Sequence, residues 1–585
     1  MAFLKKLVSI LLVGILSVSL MACEDTEELL ALMEEFGDLS EEEIAALMEA
    51  YENGDLDLSE YEDIDPDELS KYIEDWTFEN ESGPVPKIDI RSLVDYEYSD
   101  DFDSLIFKGG CHAPVLSPDS ADMFPELSEA LEENCEESFE AYNEEKDEYV
   151  EAASEHYEDE PDFFEYGSYE NNTAILLRRL DDKVFSFAEG WNAYEGGAHG
   201  IYTEYGRTFD VKTGEELELT DIFPDTDGLE DVICEKLLEK YDEEIFFDLE
   251  ESITHYDAEA TEYQSNDDDE EYDENYICPY NWTLTPYGIQ FYFGPYELAA
   301  YAYGSQEILI GYDEYPKAFN PDYVPDDEDR NFVYDFIGMT DLFDIDGDGE
   351  GDQLRVDYEY DDDFKYLQTI SAYVNGDHDS FDEEDLWIEP AYYISHYIKL
   401  ADGRQYVYAE AIVYDDHNEI FVFDLNSGVP EVVDRVYLES LYLLTPGEDY
   451  FEYEMLTDPE DMVFERGFDL LSTFYGVRSF YVGDDGMPES DERYLRDHLD
   501  YENKLVSTVD LTCDIVDEDG DVIVYDEVID AGEEFVIYAT DGESYVDAYI
   551  SDDTIVRIYF TSSEYPCYID GVSAEDCFEV LYYAG

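Results

Sequence analysis

The chain has 585 residues, with 158 Asp and Glu against 27 Lys and Arg, and a formal net charge of −131. That charge excludes a basic nucleic-acid-binding surface and electrostatic docking on anionic lipid, both of which select Lys and Arg. Global disorder is excluded as well: acidic disordered chains are poor in aromatics, whereas this one has 55 Tyr and 33 Phe and is 44% hydrophobic. The length corresponds to roughly three to four domains of about 150 residues, each able to bury a core.

Residues 1–23 read as a lipoprotein signal peptide. Lys5 and Lys6 precede an apolar run, Leu7 to Val18, too short to span a bilayer. Leu20-Met21-Ala22-Cys23 then has the form of a lipobox, with Cys23 as the thiol that would accept lipid. The expected address is extracytoplasmic, with the chain anchored to a bacterial cell membrane through that lipid. The other cysteines are not spaced CxxC, so a zinc or thioredoxin-type site has no support. Exported proteins sit where disulfides persist, and nearness in sequence suggests Cys111–Cys135, Cys234–Cys278 and Cys567–Cys577, with Cys513 left over. Buried free thiols are the alternative.

Residues 24–83 form an acidic spacer of helical pattern, with Leu29, Leu30, Leu32 and Met33 at helical spacing. An α+β domain is expected over 84–320. In it, Leu127, Leu131, Cys135, Phe139 and Tyr142 mark one face of a helix within 119–158. Strands are predicted at 174–180 and 184–194, a second helix at 230–241, and a strand pair at 282–284 and 289–293. The run at 266–274 is a solvated acidic loop, and 321–331 reads as a linker with two prolines. Short strands dominate a β-rich domain over 332–500 and a small all-β domain over 501–585. The fold class is therefore α+β and multidomain: a ligand-binding-type α+β domain followed by mostly β C-terminal domains.

Several stretches between 185 and 315 recur together in a known domain. They are Tyr194-Glu195-Gly196-Gly197-Ala198-His199-Gly200, Thr208-Phe209-Asp210-Val211-Lys212-Thr213-Gly214 and Leu217–Phe223, followed by Gly288–Ala299 and Ala300-Tyr301-Ala302-Tyr303-Gly304. In order and spacing they resemble the outer domain of the lysozyme-sensing anti-sigma factors, which also precedes certain peptidoglycan deacetylases and is largely of unknown function. The resemblance implies an α+β domain outside the membrane that binds an envelope ligand. The sigma-binding segment and transmembrane helix of the anti-sigma members are not recognisable here, nor is the metal-dependent catalytic domain of the deacetylases. Gly196 and Gly197 permit positive φ or close backbone approach. His199 is a candidate ligand contact or metal ligand, or else a structural histidine.

The most ordered acids are Asp344, Asp346, Asp348, Glu350 and Asp352. Alternate carboxylates can converge on one hard cation, Gly349 allows the sharp turn, and position 350 can offer its carbonyl. Arg355 stands where an EF-hand would place its bidentate Glu, and a strand pattern follows. The loop therefore resembles the calcium loops of extracellular β-repeat proteins, and calcium is the expected cofactor. No GxSxG, HExxH, P-loop or GxGxxG occurs, so no enzyme is expected. Two readings remain. The first is a lipid-anchored binding or sensing protein of the cell envelope, with a cationic protein such as a lysozyme or a cell-wall glycan as partner. The second is a structural or adhesive envelope lipoprotein with calcium-stabilised β domains. Trp191 and Trp387 read first as core residues and second as sugar-stacking ones. Acids spread through every segment point to solubility or habitat adaptation rather than to one ligand site.

Overall fold

The computed structural model describes residues 84–585 apart from 100–103, 166, 262–276, 326–329, 350, 361–366, 387–393, 414–416, 441–442, 445–449, 497–503, 552–553, 563–565 and 584–585. Cys23, the 24–83 spacer, the 266–274 acidic run, Glu350 and Trp387 lie outside the described residues. Among the described residues no helix is long and apolar enough to cross a membrane.

β1 (Ile88–Tyr98) and β2 (Leu105–Leu116) form an antiparallel hairpin. α1 (Pro125–Asp159) carries the chain back, so that β3 (Tyr169–Leu180) runs parallel to β2; a parallel pair needs such a crossover. Pro125 opens α1 at its first turn, where a missing N–H costs nothing. Of the stripe expected from sequence the helix buries Leu127, Leu131, Cys135 and Tyr142 and half-buries Phe139, and it leaves most of its acids to water. β4 (Val184–Tyr194) and β5 (Ile201–Asp210) extend the sheet as an antiparallel ladder. α2 (Leu229–Lys240) covers a smaller sheet of β6 (Asn281–Leu284), β7 (Gly288–Phe293) and β8 (Gln306–Gly311). Ile233, Leu237, Phe291, Phe293 and Ile308 fill the space between them.

Beyond residue 330 the chain is almost all strand. β9 (Phe332–Phe336) is the edge of one sheet, and β10 (Met339–Phe343) with β11 (Asp352–Tyr360) belongs to a second. The two sheets share a core in which the Phe343 and Tyr397 rings stack 3.9 Å apart. The C-terminal strands form a large sheet together with Met462–Asp469 and Thr473–Val482. The fold class is α+β with a mostly β C-terminal region.

The divisions expected at 321–331 and at 501 do not separate compact units, because Val85–Gly585 is one such unit. Phe451–Glu454 pairs with β1 and so extends the first sheet. Glu534–Thr540 pairs with Tyr494–Arg496 across the expected division at 501. One core runs from Ile88, Leu127 and Phe187 through Tyr408 and Ile420 to Phe464 and Phe535.

A chain of buried polar groups crosses the seam at 321–331. β3 is bulged next to Arg178, and a bulge re-aims a side chain. The Arg178 guanidinium donates to Tyr292 Oη at 2.9 Å, to the Glu204 carboxylate and to the Asp335 backbone carbonyl, and lies over the Tyr334 ring at 4.9 Å. The Asp335 carboxylate accepts from Leu177 N at 2.9 Å and contacts His396 Nδ1 at 2.6 Å. His396 Nε2 lies 3.3 Å from Glu410. Burial alone would lower the His396 pKa, but Asp335 and Glu410 outweigh it and push the imidazole up to about 10.

A histidine held protonated in this way stabilises the fold fully below its unfolded pKa of about 6.5, and the contribution disappears as pH rises through about 10. His396→Gln should therefore cost about 3–5 kcal/mol at pH 6, with the gap to wild type closing as the pH approaches 10. Urea melts at pH 6, 8 and 10 measure this, and a gap independent of pH would contradict the protonated assignment.

Candidate functional site

The Gly-Gly-Ala-His stretch forms the turn between β4 and β5. Gly196 takes a φ of 74°, and a Cβ there would lie 3.0 Å from the Tyr169 ring and 3.2 Å from His156. Tyr194 donates its hydroxyl to Gly197 O at 3.0 Å. His199 is exposed and stacks on Tyr301, with centroids 3.7 Å apart and 19° between the planes. Tyr301 in turn donates to Gly200 O at 2.6 Å. Two stretches a hundred residues apart in sequence thus meet as one aromatic shelf. His199 Nδ1 sits 3.0 Å from Gly200 O, and among the described residues it belongs to no cluster of metal-ligating groups.

Beside the shelf lies a cleft of about 1000 Å³. One wall is β5 and the turn after it, with Tyr205 and Glu218; the other is the 278–297 segment, with Tyr280, Trp282, Tyr296 and Glu297. Gly206 makes this approach possible, since a Cβ there would fall 1.9 Å from the Trp282 carbonyl oxygen. Asn281 Oδ1 accepts from Gly206 N at 2.8 Å and fixes the contact. Tyr256 donates to Glu297 Oε2 at 2.7 Å. Tyr280 is 7% exposed, and its buried hydroxyl finds no partner among the described residues. Gly294-Pro295-Tyr296-Glu297 is a turn closed by Glu297 N donating to Gly294 O at 3.1 Å. Tyr296 has a φ of 74°, in the place that a type II turn gives to glycine. A bulky side chain there costs on the order of 1–2 kcal/mol.

The acidic loop joins β10 to β11. Asp344, Asp346 and Asp348 each offer an oxygen, and these lie within 4.8 Å of one another. Gly347 and Gly349 have φ of 80° and 87°, which gives the tight turn. Asp346 Oδ1 accepts from Asp348 N and Asp344 Oδ2 from Gly349 N, each at 3.0 Å. The arrangement suits a hard cation, with room for further oxygens from water. Asp352 does not join the cluster. It is 2% exposed, and its carboxylate accepts from Ile345 N, from Asp346 N at 3.0 Å and from Asn375 Nδ2. It works as a clamp at the loop's base.

The disulfides expected from sequence are absent: Cys111, Cys135, Cys234, Cys278, Cys513, Cys567 and Cys577 are all thiols. Cys111 Sγ points to Ser138 O at 3.7 Å, Cys135 Sγ faces Arg91 Nη1 at 4.0 Å, and Cys567 Sγ donates to Leu470 O at 2.9 Å. Burial pushes Cys111 and Cys513 up to about 12 and Cys135, Cys278 and Cys567 up to about 11, so little thiolate is available to react.

Residues 220–313 match the model of a family described as a protein of unknown function, DUF3298. The chain carries a DUF3298 domain. The matched residues lie inside the 84–320 region whose motifs resemble the outer domain of the anti-sigma factors, in keeping with that resemblance. A DUF3298 family structure from Bacteroides fragilis is similar at 18% identity, over 41% of this chain and 96% of that one, with a TM-score of 0.30. A second, from Pseudomonas aeruginosa, is similar at 16% identity over 42% and 99%, with a TM-score of 0.27. No curated protein matches the chain. The residues matched to DUF3298 supply Tyr256 and the 278–297 wall, while β5 and the turn after it come before the match. Sequence reading did not single out Tyr205, Tyr280 or Tyr296 as site residues. The one local signal was Pro295-Tyr296, a turn pair with an aromatic where glycine is usual.

Asp352→Ala leaves two backbone donors and the Asn375 amide unpaired. It should cost about 2–3 kcal/mol in the presence of a chelator, read as a lowered urea midpoint. An effect that appears only with added calcium would instead make Asp352 a ligand.

Proposed function

We propose that the chain is a non-catalytic binding or sensing protein of the cell envelope. In this reading a lipid on Cys23 holds it to the outer face of a membrane, and its ligand is a lysozyme-like protein or a cell-wall glycan. The observation that carries the reading is the aromatic-lined cleft between β5 and the DUF3298 domain, flanked by the His199–Tyr301 shelf. Binding sites are concave and mostly apolar, with a few well-placed polar groups, and the Glu297 carboxylate, held by Tyr256, is of that kind. A net charge of −131 would speed encounter with a cationic protein and make that encounter sensitive to salt. Immobilised protein should retain lysozyme at low salt. Retention that survives about 0.3 M salt, where the Debye length is about 5–6 Å, supports a specific site. Complete loss at that salt reduces the interaction to charge attraction.

The alternative is a structural or adhesive envelope protein whose β region is stiffened by calcium. It is favoured by the Asp344, Asp346 and Asp348 cluster, placed on a hairpin whose Phe343 sits in the β core. Under this reading, calcium raises the melting temperature of the full chain and gives a calorimetric binding isotherm. Asp346→Asn should weaken that binding at least tenfold. No heat with wild type would remove calcium from the account.

A further inference from the structure

We propose that the cleft beside the DUF3298 domain binds a short stretch of a neutral or amino-bearing polysaccharide, with Tyr205 and Tyr296 as stacking platforms. The inference rests on the reading of the chain as a binding protein and names the ligand class for its cleft. Tyr296 carries the argument. It occupies a left-handed turn position that any glycine would fill without strain. The residue is 58% exposed, so burial does not offset the strain. Its closest aromatic partner is Tyr301, at 5.7 Å and 33°, and Tyr301 is itself stacked on His199. Strain that packing does not repay is retained where a side chain must face a ligand.

Tyr205, on the other wall, is 49% exposed. Two largely exposed aromatic side chains suit stacking on the C–H faces of pyranose rings, and the cleft lining supplies groups for their hydroxyls. The Glu297 and Glu218 carboxylates, both lining the cleft, accept hydrogen bonds from those hydroxyls. Size favours a sugar chain over one inserted protein side chain: about 1000 Å³ is at the upper end of small-ligand pockets. Charge narrows the class. Glu216, Glu218 and Glu297 line the cleft, and the nearby Arg207 is engaged by Glu216 through two nitrogens. Uronates and phosphate-bearing polymers are therefore repelled, whereas uncharged or ammonium-bearing sugars are not.

The test is titration of the full chain with tetrasaccharides of glucose, N-acetylglucosamine and glucosamine, and with tetragalacturonate as the anionic control. At least one of the first three should bind and the uronate should not. Tyr296→Gly should keep or raise the melting temperature while weakening that binding at least tenfold. Tyr205→Ala should weaken it similarly. The proposal is overturned if none of the three sugars binds, or if binding is unchanged in both Tyr296→Gly and Tyr205→Ala. Lysozyme retention at 0.3 M salt without sugar binding overturns the glycan site and leaves the binding-protein reading standing. Sugar binding that depends on these tyrosines, without lysozyme retention, supports the glycan site and removes the protein ligand.

Discussion

One buried cation organises the middle of this protein. Arg178 is 3% exposed, and a guanidinium removed from water must find acceptors or destabilise the fold. Its acceptors come from three places in sequence: Glu204 on β5, Tyr292 on β7 and the Asp335 carbonyl on β9. They can be supplied together only if the DUF3298 side and the β region dock. Asp335 then extends the network to His396 and Glu410. The cleft is built on the same strands, since Glu204, which receives Arg178, also accepts Asn281 at its backbone oxygen. The site geometry is thus tied to the docking of regions that the sequence presents as separate.

The acidity looks different against this frame. With 27 Lys and Arg in the whole chain, several cations sit where distant segments meet. Lys87 pairs with Asp461, Arg91 with Glu452, Lys240 with Asp341 and Arg330 with Asp181. Each brings a scarce positive charge to a seam between acidic surfaces that would otherwise repel. Exposed pairs of this kind contribute little individually, but the half-buried Arg91, held by two glutamates, specifies how Phe451–Glu454 lies against β1. Most of the other described acids face water, with buried exceptions such as Asp352, Asp514 and Asp547, which suits solubility in salt better than recognition of one ligand.

Much of the fold was legible because its cues are local. The stripe on α1 repeats at helical spacing, and β4 has the bounds that its pattern predicts. The short strands expected beyond residue 332 are present too, as at Asp352–Tyr360, Gln405–Val413 and Glu534–Thr540. The joining of regions on either side of 321–331 and of 501 was not legible. Arg91 and Glu452 are 361 residues apart, and no local pattern marks such a pairing. Of the candidate sites, Asp344, Asp346 and Asp348 were readable because three acids at alternate positions of a tight loop must converge. Asp352 fits the same pattern but is drawn inward by two backbone N–H groups and Asn375. The cleft was unreadable, since its walls come from segments about ninety residues apart.

The sequence by itself determined the secondary elements, the α+β class, the resemblance of the 84–320 region and the acidic loop. All of these depend on residue types at short spacing, where backbone sterics and hydrophobic period leave few choices. Only the tertiary structure decided which strands share a sheet, that one core runs through regions expected to be separate, that the seven described cysteines are thiols, and that Tyr205 and Tyr296 line one cleft. Those outcomes depend on burying apolar surface and satisfying a few charges across hundreds of residues. Many pairings meet the local rules, and the requirement that Arg178 and Asp335 find partners is met by few of them.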